Sequence, residues 1–243
     1  MRNILITICA RGGSKGIPGK NIKILNGKPL VYYSLKIAEL FSKKINNTDI
    51  ILSTDDQKIK KTVQQISTKI LTDYVRPNFL ASDTAGKLEV IVDAKIYAEK
   101  NNNKVYDYVI DLDVTSPLRN LKDIEKAMQL LEKNKNALNI FSVSQANRNP
   151  YFNIVEENKD GFYELCKKGK FLTRQSAPKV FELNASFYIF KNKFFSENHH
   201  TVITDRSLVY EVPHLCFDLD HQIDFEFMDF LLENQKLDFD FNY

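Results

Sequence analysis

The sequence predicts an α/β fold in which helices cover both faces of one mainly parallel sheet. Short apolar runs alternate with segments whose apolar residues recur at helical spacing, and this alternation is typical of parallel sheets joined by helical crossovers. The 243 residues are enough for one domain with a sizeable core. With 43% hydrophobic and 27% charged residues, the composition excludes the disordered and fibrous classes.

Short apolar runs bounded by polar or turn residues are predicted to be strands, namely 4–8, 49–53, 106–112, 139–143, 186–190 and 208–212. Helices are predicted after Pro29, which can occupy a first helical turn, over 55–66 and 87–100, around 121–131, and near the end around 223–231. Right-handed crossovers between such elements give parallel strands.

The alternation stops after Asn147. Residues 148–178 are polar and contain Pro150, Gly161 and Gly169. We interpret them as a small, hairpin-bearing excursion from a single domain that spans residues 1–243.

No stretch approaches the roughly 18 consecutive apolar residues of a membrane helix, and the apolar run at the start is too short for a secretion signal. Cys9, Cys166 and Cys216 are far apart and form no CxxC pair, so we expect reduced, buried thiols. These features predict a cytoplasmic protein without a membrane partner.

Charge is unevenly distributed along the chain. The first 38 residues contain no Asp or Glu, whereas residues 218–240 contain eight acidic side chains and Lys236 as the only basic one. A basic beginning favours an anionic ligand, and an acidic end favours a metal ion or a solvated face.

Glycine marks the first candidate site. Half of the eight glycines lie in one window, at Gly12, Gly13, Gly16 and Gly19. The surrounding segment 10–21 (ARGGSKGIPGKN, the glycine loop) follows the first predicted strand and adds three cations. Loops at the carboxyl ends of parallel strands form ligand crevices, and glycines let backbone N–H groups approach an anion. The loop matches neither the Walker A nor the GxGxxG pattern. A solvated basic turn is the less favoured interpretation.

The glycine loop resembles the signature of the acylneuraminate cytidylyltransferases, the family that makes CMP-sialic acids and related bacterial CMP-sugars. Further matching segments are STDD (53–56), RPNFLASDT (76–84), TSPLR (115–119) and FDLDHQIDF (217–225). The resemblance implies a Rossmann-like nucleotidyltransferase fold and a homodimer that forms through the 148–178 excursion.

The resemblance also implies residue roles. CTP would be held by Ala10, Arg11, Gly12, Gly13, Ser14, Lys15, Lys20, Asn21 and Arg76. Mg²⁺ would be held by Asp218 and Asp220, which in an extended segment point to one face. Lys15, Arg11 and Asp220 would have the catalytic roles: the two cations would offset phosphate charge, and Asp220 would assist loss of the hydroxyl proton.

A second carboxylate pair, Asp111 and Asp113, ends a predicted strand. The sialic acid enzymes typically have Gln where Asp113 stands, so Asp113 is either a sugar or metal contact of a variant substrate site or a charge held away from the ligand. We favour the first reading.

By the same resemblance, Arg174, Asn184 and Tyr188 would bind the sugar, with Asp113 as the variant contact beside them, and Arg174 would pair with the sugar carboxylate. Tyr188 could instead be simply a core residue. The sequence around Arg174 is most similar to the branch of the family that activates legionaminic acid. Glu182 stands where the sialic acid enzymes often have Arg.

These observations predict an enzyme that transfers CMP from CTP to the anomeric hydroxyl of a nonulosonic acid. Legionaminic acid or a derivative is the expected acceptor, and N-acetylneuraminic acid is the alternative. A glycosyltransferase is a rival because Asp111-Leu-Asp113 has DxD spacing. An RNA-binding module is a weaker rival, since the net charge is only +3 and no aromatic-rich motif accompanies the basic loop. We therefore expect no nucleic acid partner.

Overall fold

A computed structural model describes residues 2–14 and 16–241. The strands are β1 (Ile4–Cys9), β2 (Ile24–Leu25), β3 (Lys28–Pro29), β4 (Thr48–Ser53), β5 (Tyr108–Leu112), β6 (Asn139–Gln145), β7 (Val155–Glu157), β8 (Tyr163–Leu165), β9 (Phe181–Lys191) and β10 (Ser207–Glu211). The α-helices are α1 (Val31–Lys44), α2 (Gln57–Ile66), α3 (Lys87–Asn102), α4 (Leu121–Lys133), α5 (Asn192–Ser196) and α6 (Gln222–Glu233).

Six strands form the central sheet in the order β10-β6-β9-β5-β1-β4. β1 pairs in parallel with β4 and β5, and β10 pairs in parallel with β6. β9 is antiparallel to both of its neighbours. No α-helix connects β6 to β9. The chain therefore enters β9 at the end of the sheet where β6 finishes, and β9 runs antiparallel to β6. The predicted mainly parallel sheet is confirmed, with β9 as the exception.

Strand alternation divides the core into two layers. Ile4, Ile6 and Ile8 pack with residues of α1, α2, α4 and α6 on one face of the sheet. Leu5 points to the other face, where it packs with residues of α3 and α5. Side chains that alternate along a strand require apolar cover on both sides, and the helices supply it. Helices on both faces are therefore confirmed.

The helix after Pro29 begins later than expected. Pro29 pairs with Ile24 in the small β2–β3 hairpin, and α1 starts at Val31. The expectation that Pro29 lies in the first turn of this helix is wrong, because Pro29 is paired with Ile24 in the hairpin and the helix starts two residues later.

The excursion contains the predicted hairpin. β7 and β8 form a separate two-stranded sheet, and β7 is exposed throughout. Leu172 and Phe162 are also exposed, with 93% and 71% of their surfaces accessible.

Cys9, Cys166 and Cys216 are free thiols, as expected, although only Cys216 is buried and the other two are half-buried. Across the described residues, no helix has the length and apolar character needed to cross a membrane.

Candidate active site

A cleft of about 310 Å³ lies at the carboxyl ends of the parallel strands. It is lined by Cys9, Arg11, Ser14, Lys20, Asn21, Arg76, Leu80, Ser82, Asp83, Ala85, Lys87, Val90, Asp113 and Thr115. The connection after β1 leads to β4, and the connection after the neighbouring strand β5 leads the other way, to β6, so a crevice opens between β1 and β5. The cleft is thus where an α/β sheet binds ligands.

Contacts with two other segments fix the glycine loop. The Gly12 N–H donates to Asp55 Oδ1 at 2.9 Å, and a Cβ on Gly12 would lie 2.7 Å from Asp56 Oδ2. A Cβ on Gly16 would lie 2.3 Å from the carbonyl oxygen of Asp220. Two of the four clustered glycines are therefore required by close packing against the chain itself. Gly13 has no atom within 4 Å of its Cβ position, so it leaves open space for a ligand.

Arg11, Lys20 and Arg76, which are predicted to bind CTP, line the cleft, and each contacts the chain itself. Arg11 Nη1 donates to Asp83 Oδ1 at 2.6 Å. Lys20 Nζ donates to the Leu219 carbonyl at 2.6 Å. The buried Arg76 donates to the hydroxyl and carbonyl oxygens of Ser53, at 3.0 and 2.8 Å. These contacts hold positive charge in place before any anion arrives.

Asn21, which is also predicted to bind CTP, lines the cleft as well. The Asn21 amide donates to the Arg11 carbonyl at 2.9 Å, while its buried Oδ1 has no hydrogen-bond partner in the described structure. An unpaired buried acceptor is costly, so a ligand donor that reached Oδ1 would bind favourably. The predicted role of Lys15 lies outside the described residues.

Three carboxylates gather at the β5 side of the cleft. The Thr115 hydroxyl lies 2.9 Å from Asp113 Oδ1 and 3.1 Å from Asp218 Oδ1. Asp111 is fully buried and accepts from Thr7 Oγ1 at 2.6 Å. Burial and the charge of Asp113 raise the pKa of Asp218 to about 6. This concentration of negative charge favours a cation.

Lys87, at the start of α3, is the cation among these carboxylates, and the sequence analysis missed it. Its ammonium donates to Asp113 and lies 3.3 Å from Asp111 Oδ2. Burial alone would lower the pKa of Lys87, but Asp113 and Asp111 outweigh it and raise the pKa well above its usual value. Burial would raise the pKa of Asp113, but the Lys87 charge and the Thr115 hydrogen bonds lower it overall. Both groups are therefore charged at neutral pH.

Asp220 is more open to solvent than Asp218. Its side chain is 67% exposed, and its Oδ1 lies 3.6 Å from Lys20 Nζ. The segment that carries both residues is fixed at Leu219, whose N–H donates to the Thr115 carbonyl at 2.9 Å. Among the described residues, no three His, Cys, Asp or Glu side chains form a ready metal cage.

The predicted sugar-binding residues fall into two groups. Asp113 lines the cleft, and Tyr188 lies beneath it with its ring 5.1 Å from Lys87 Nζ. The buried Asn184 donates to Ser144 Oγ at 3.0 Å. Arg174 is exposed in the excursion and donates to the Ala146 carbonyl at 3.0 Å. In the described chain, the structure brings Asp113 and Tyr188 together, while Asn184 contacts Ser144 and Arg174 contacts the Ala146 carbonyl.

The fully buried Arg119 supports the cleft from below. It donates to the Asp113 carbonyl at 2.6 Å, to the Ser116 carbonyl at 2.6 Å and to the Ser186 carbonyl at 2.9 Å. It thereby joins the loop after β5 to β9. Arg119 is part of the matching segment TSPLR. A motif match alone does not show whether such an arginine contacts a ligand or, as here, backbone carbonyls inside the protein.

Comparison with known proteins is consistent with this geometry. Residues 5–237 match the family described as "Cytidylyltransferase". A flagellin modification protein, "Post-translational flagellin modification protein B" of Campylobacter coli, is 38% identical over 98% of both chains. The "CMP-N,N'-diacetyllegionaminic acid synthase" of Campylobacter jejuni is also 38% identical over 98% of both chains.

Among solved structures, a CMP:2-keto-3-deoxy-manno-octonic acid synthetase complexed with CTP has the same fold. It superposes with a TM-score of 0.67 at 16% identity, covering 96% of this chain and 99% of that one.

Proposed function

The chain belongs to the cytidylyltransferase family, and from this premise we propose that it transfers CMP from CTP to the anomeric hydroxyl of a nonulosonic acid, releasing pyrophosphate. Legionaminic acid or an N-acyl derivative is the proposed acceptor. The observation that carries the proposal is a single cleft in which a basic glycine loop faces a carboxylate cluster. Full-length similarity to a CMP-N,N'-diacetyllegionaminic acid synthase supports this choice of acceptor.

We assign the triphosphate to the β1 side of the cleft. Arg11, Lys20 and Arg76 supply positive charge there, and the open space at Gly13 admits a phosphate close to the backbone. The unpaired Asn21 Oδ1 suits a ligand donor, such as an amine or a hydroxyl. Ala10, Gly12, Ser14 and Lys15 complete the proposed CTP site, although Lys15 lies outside the described residues.

The donor set fits Mg²⁺, which usually binds through one or two carboxylates together with substrate phosphates rather than in a complete protein cage. Asp218 and Asp220 would hold it. Burial raises the pKa of Asp218, and the charges of Asp113 and Asp220 raise it further; a divalent cation would relieve that repulsion. When bound, Mg²⁺ would neutralise phosphate charge as a Lewis acid.

In the proposed reaction, the anomeric oxygen of the sugar attacks the α-phosphorus of CTP. The bond to the bridging oxygen breaks, and pyrophosphate leaves with the electron pair. Arg11 and Lys15 would stabilise charge on the phosphates, and Asp220 would accept the hydroxyl proton. The open position of Asp220 beside the cleft supports the proton-accepting role.

We propose that the sugar binds on the β5 side, against Asp113 and Tyr188. Asn184 and Arg174 remain proposed sugar contacts, and Arg174 would pair with the sugar carboxylate. The exposed apolar residues of the excursion support a homodimer that forms through residues 148–178. A cytoplasmic location is part of the proposal and is consistent with three free thiols.

The contacts of Asp111 weigh against the glycosyltransferase reading. A DxD motif presents its carboxylates to a metal and a nucleotide-sugar, whereas Asp111 is fully buried and bound to Thr7 and Lys87.

Pyrophosphate release provides the test. The protein is incubated with CTP, Mg²⁺ and one of four acids (N,N'-diacetyllegionaminic, N-acetylneuraminic, pseudaminic or ketodeoxyoctonic acid), and the CMP-sugar is identified by mass spectrometry. We expect the highest kcat/KM with the legionaminic derivative. Asp220→Asn should abolish turnover while leaving the melting temperature near that of the wild type. Absence of pyrophosphate with all four acids would refute the proposed function.

A further inference from the structure

Lys87 lies on the cleft wall and is held there by the chain itself. Its ammonium donates to Asp113 Oδ2 and lies 3.3 Å from Asp111 Oδ2. It also lies 5.1 Å from the centre of the Tyr188 ring, within range of a cation–π interaction. Its side chain is nevertheless 30% exposed toward the cleft. The result is a cation whose position is fixed before a ligand binds.

The Lys87–Asp113 pair keeps hydrogen-bonding capacity for a ligand. Asp113 accepts from the Thr115 N–H at 2.8 Å, from the Thr115 hydroxyl at 2.9 Å and from Lys87. A carboxylate has about four acceptor sites, so one remains. An ammonium has three donors, and the two carboxylates take two of them. One donor and one acceptor are therefore left side by side.

The position of the pair separates it from the nucleotide side. Arg11, Lys20 and Asn21 extend from the loop after β1, and Arg76 is anchored to the end of β4. The Lys87–Asp113 pair belongs instead to the β5 and β9 side of the cleft, next to Tyr188. A molecule that binds beside CTP would meet this pair.

We propose that Lys87 is a specificity-determining residue of the acceptor site: together with Asp113 it binds a hydroxyl, or a neighbouring O–H and N–H pair, of the polyhydroxylated sugar acid. This inference rests on the proposed function. A sugar oxygen accepts from Lys87 while an O–H or N–H of the sugar donates to Asp113. Such a site discriminates strongly, because an acceptor without the matching group leaves one donor of Lys87 and one acceptor of Asp113 unsatisfied.

Steady-state kinetics with separate variation of CTP and of N,N'-diacetyllegionaminic acid test the role of Lys87. We expect Lys87→Met to raise KM for the sugar at least tenfold and to change KM for CTP less than twofold. Because Lys87 and Asp113 position each other and contact neighbouring groups of the sugar, the double variant Lys87→Met/Asp113→Asn should lose less sugar affinity than the sum of the losses in the two single variants. Isothermal titration of the sugar gives a second readout that does not depend on turnover.

Lys95→Met is the matched control. Lys95 lies on the same helix, is buried and forms an ion pair with Glu99 at 2.8 Å, but it does not line the cleft. Its substitution should leave both KM values unchanged.

Because Lys87→Met leaves the buried Asp111 without its cation, this variant can fail to fold. Lys87→Arg retains the charge but displaces the donors, and it should still raise KM for the sugar several-fold. An increase in KM for CTP alone, or unchanged sugar affinity in folded Lys87→Arg and Lys87→Met, would overturn the inference. A wild-type protein that is inactive with every acid would instead refute the proposed function.

Discussion

Gly16→Ala tests whether the glycine loop and the Asp220 segment must approach as closely as the structure shows. The added Cβ would lie 2.3 Å from the Asp220 carbonyl oxygen, whereas ordinary contact begins at 3.4 Å. The obstacle is backbone rather than a flexible side chain, so the two segments must separate by about 1 Å.

Such overpacking costs about 1–3 kcal/mol, of which the reduced entropy of the unfolded chain offsets about 0.4–1 kcal/mol. A net loss of about 1–2 kcal/mol lowers Tm by about 2–8 °C in a domain of this size. The effect on turnover is larger, because a displacement of about 1 Å can reduce activity about 100-fold when it separates reacting groups. We therefore expect a modest loss of stability and about a 100-fold loss of kcat/KM.

Thermal melting and pyrophosphate release measure the two effects on the same preparations. Gly13→Ala is the control for stability, because its Cβ has no atom within 4 Å and its Tm should match the wild type. Wild-type Tm and kcat/KM in Gly16→Ala would show that the loop and the Asp220 segment do not need this contact.

Three further predictions concern contacts around the cleft and the excursion. Asp83→Ala frees Arg11 from a partly exposed ion pair and should lower KM for CTP by up to about fivefold, as measured by initial rates; an increase would contradict competition between Asp83 and phosphate. Burial lowers the pKa of His214, but the hydrogen bond to Asp123 outweighs it and raises the pKa, so its stabilising effect is complete below pH 6.5 and is lost as pH rises through the folded pKa. His214→Gln should therefore lower Tm more at pH 5.5 than at pH 8.5, and an equal loss at both values would refute this role. Leu172→Asp should shift the mass measured by light scattering from dimer to monomer, and an unchanged mass would separate Leu172 from the dimer contact.

Local pattern predicted most of the central sheet. β1, β4, β5, β6 and β10 lie within two residues of their predicted bounds, because each is a short apolar run between turn residues. β9 is longer than predicted, since Glu182 and Leu183 near its start are exposed and this part of the strand carries no apolar run. Its antiparallel direction follows from the missing crossover helix, a signal that was present in the sequence but concerns connection rather than propensity.

The site was only partly predictable for a different reason. The glycine loop is local in sequence, so its residues could be identified together. Lys87, by contrast, reaches Asp111 and Asp113 only after α3 packs on the sheet. Before folding it is one lysine at the start of a helix, and neither charge nor spacing distinguishes it from other surface lysines.

The excursion leaves and re-enters the sheet at neighbouring points. The Ala146 N–H donates to the Val180 carbonyl at 3.2 Å, and Gln145 pairs with Phe181 where β6 and β9 meet. Because the two ends are already joined by strand pairing, the intervening length is not set by the sheet, and the entropy of closing a loop grows only slowly with its length. Residues 148–178 can therefore be shortened, extended or exchanged in evolution while β6, β9 and the cleft keep their geometry. The excursion can therefore diverge in length and sequence among related proteins without changing the central sheet.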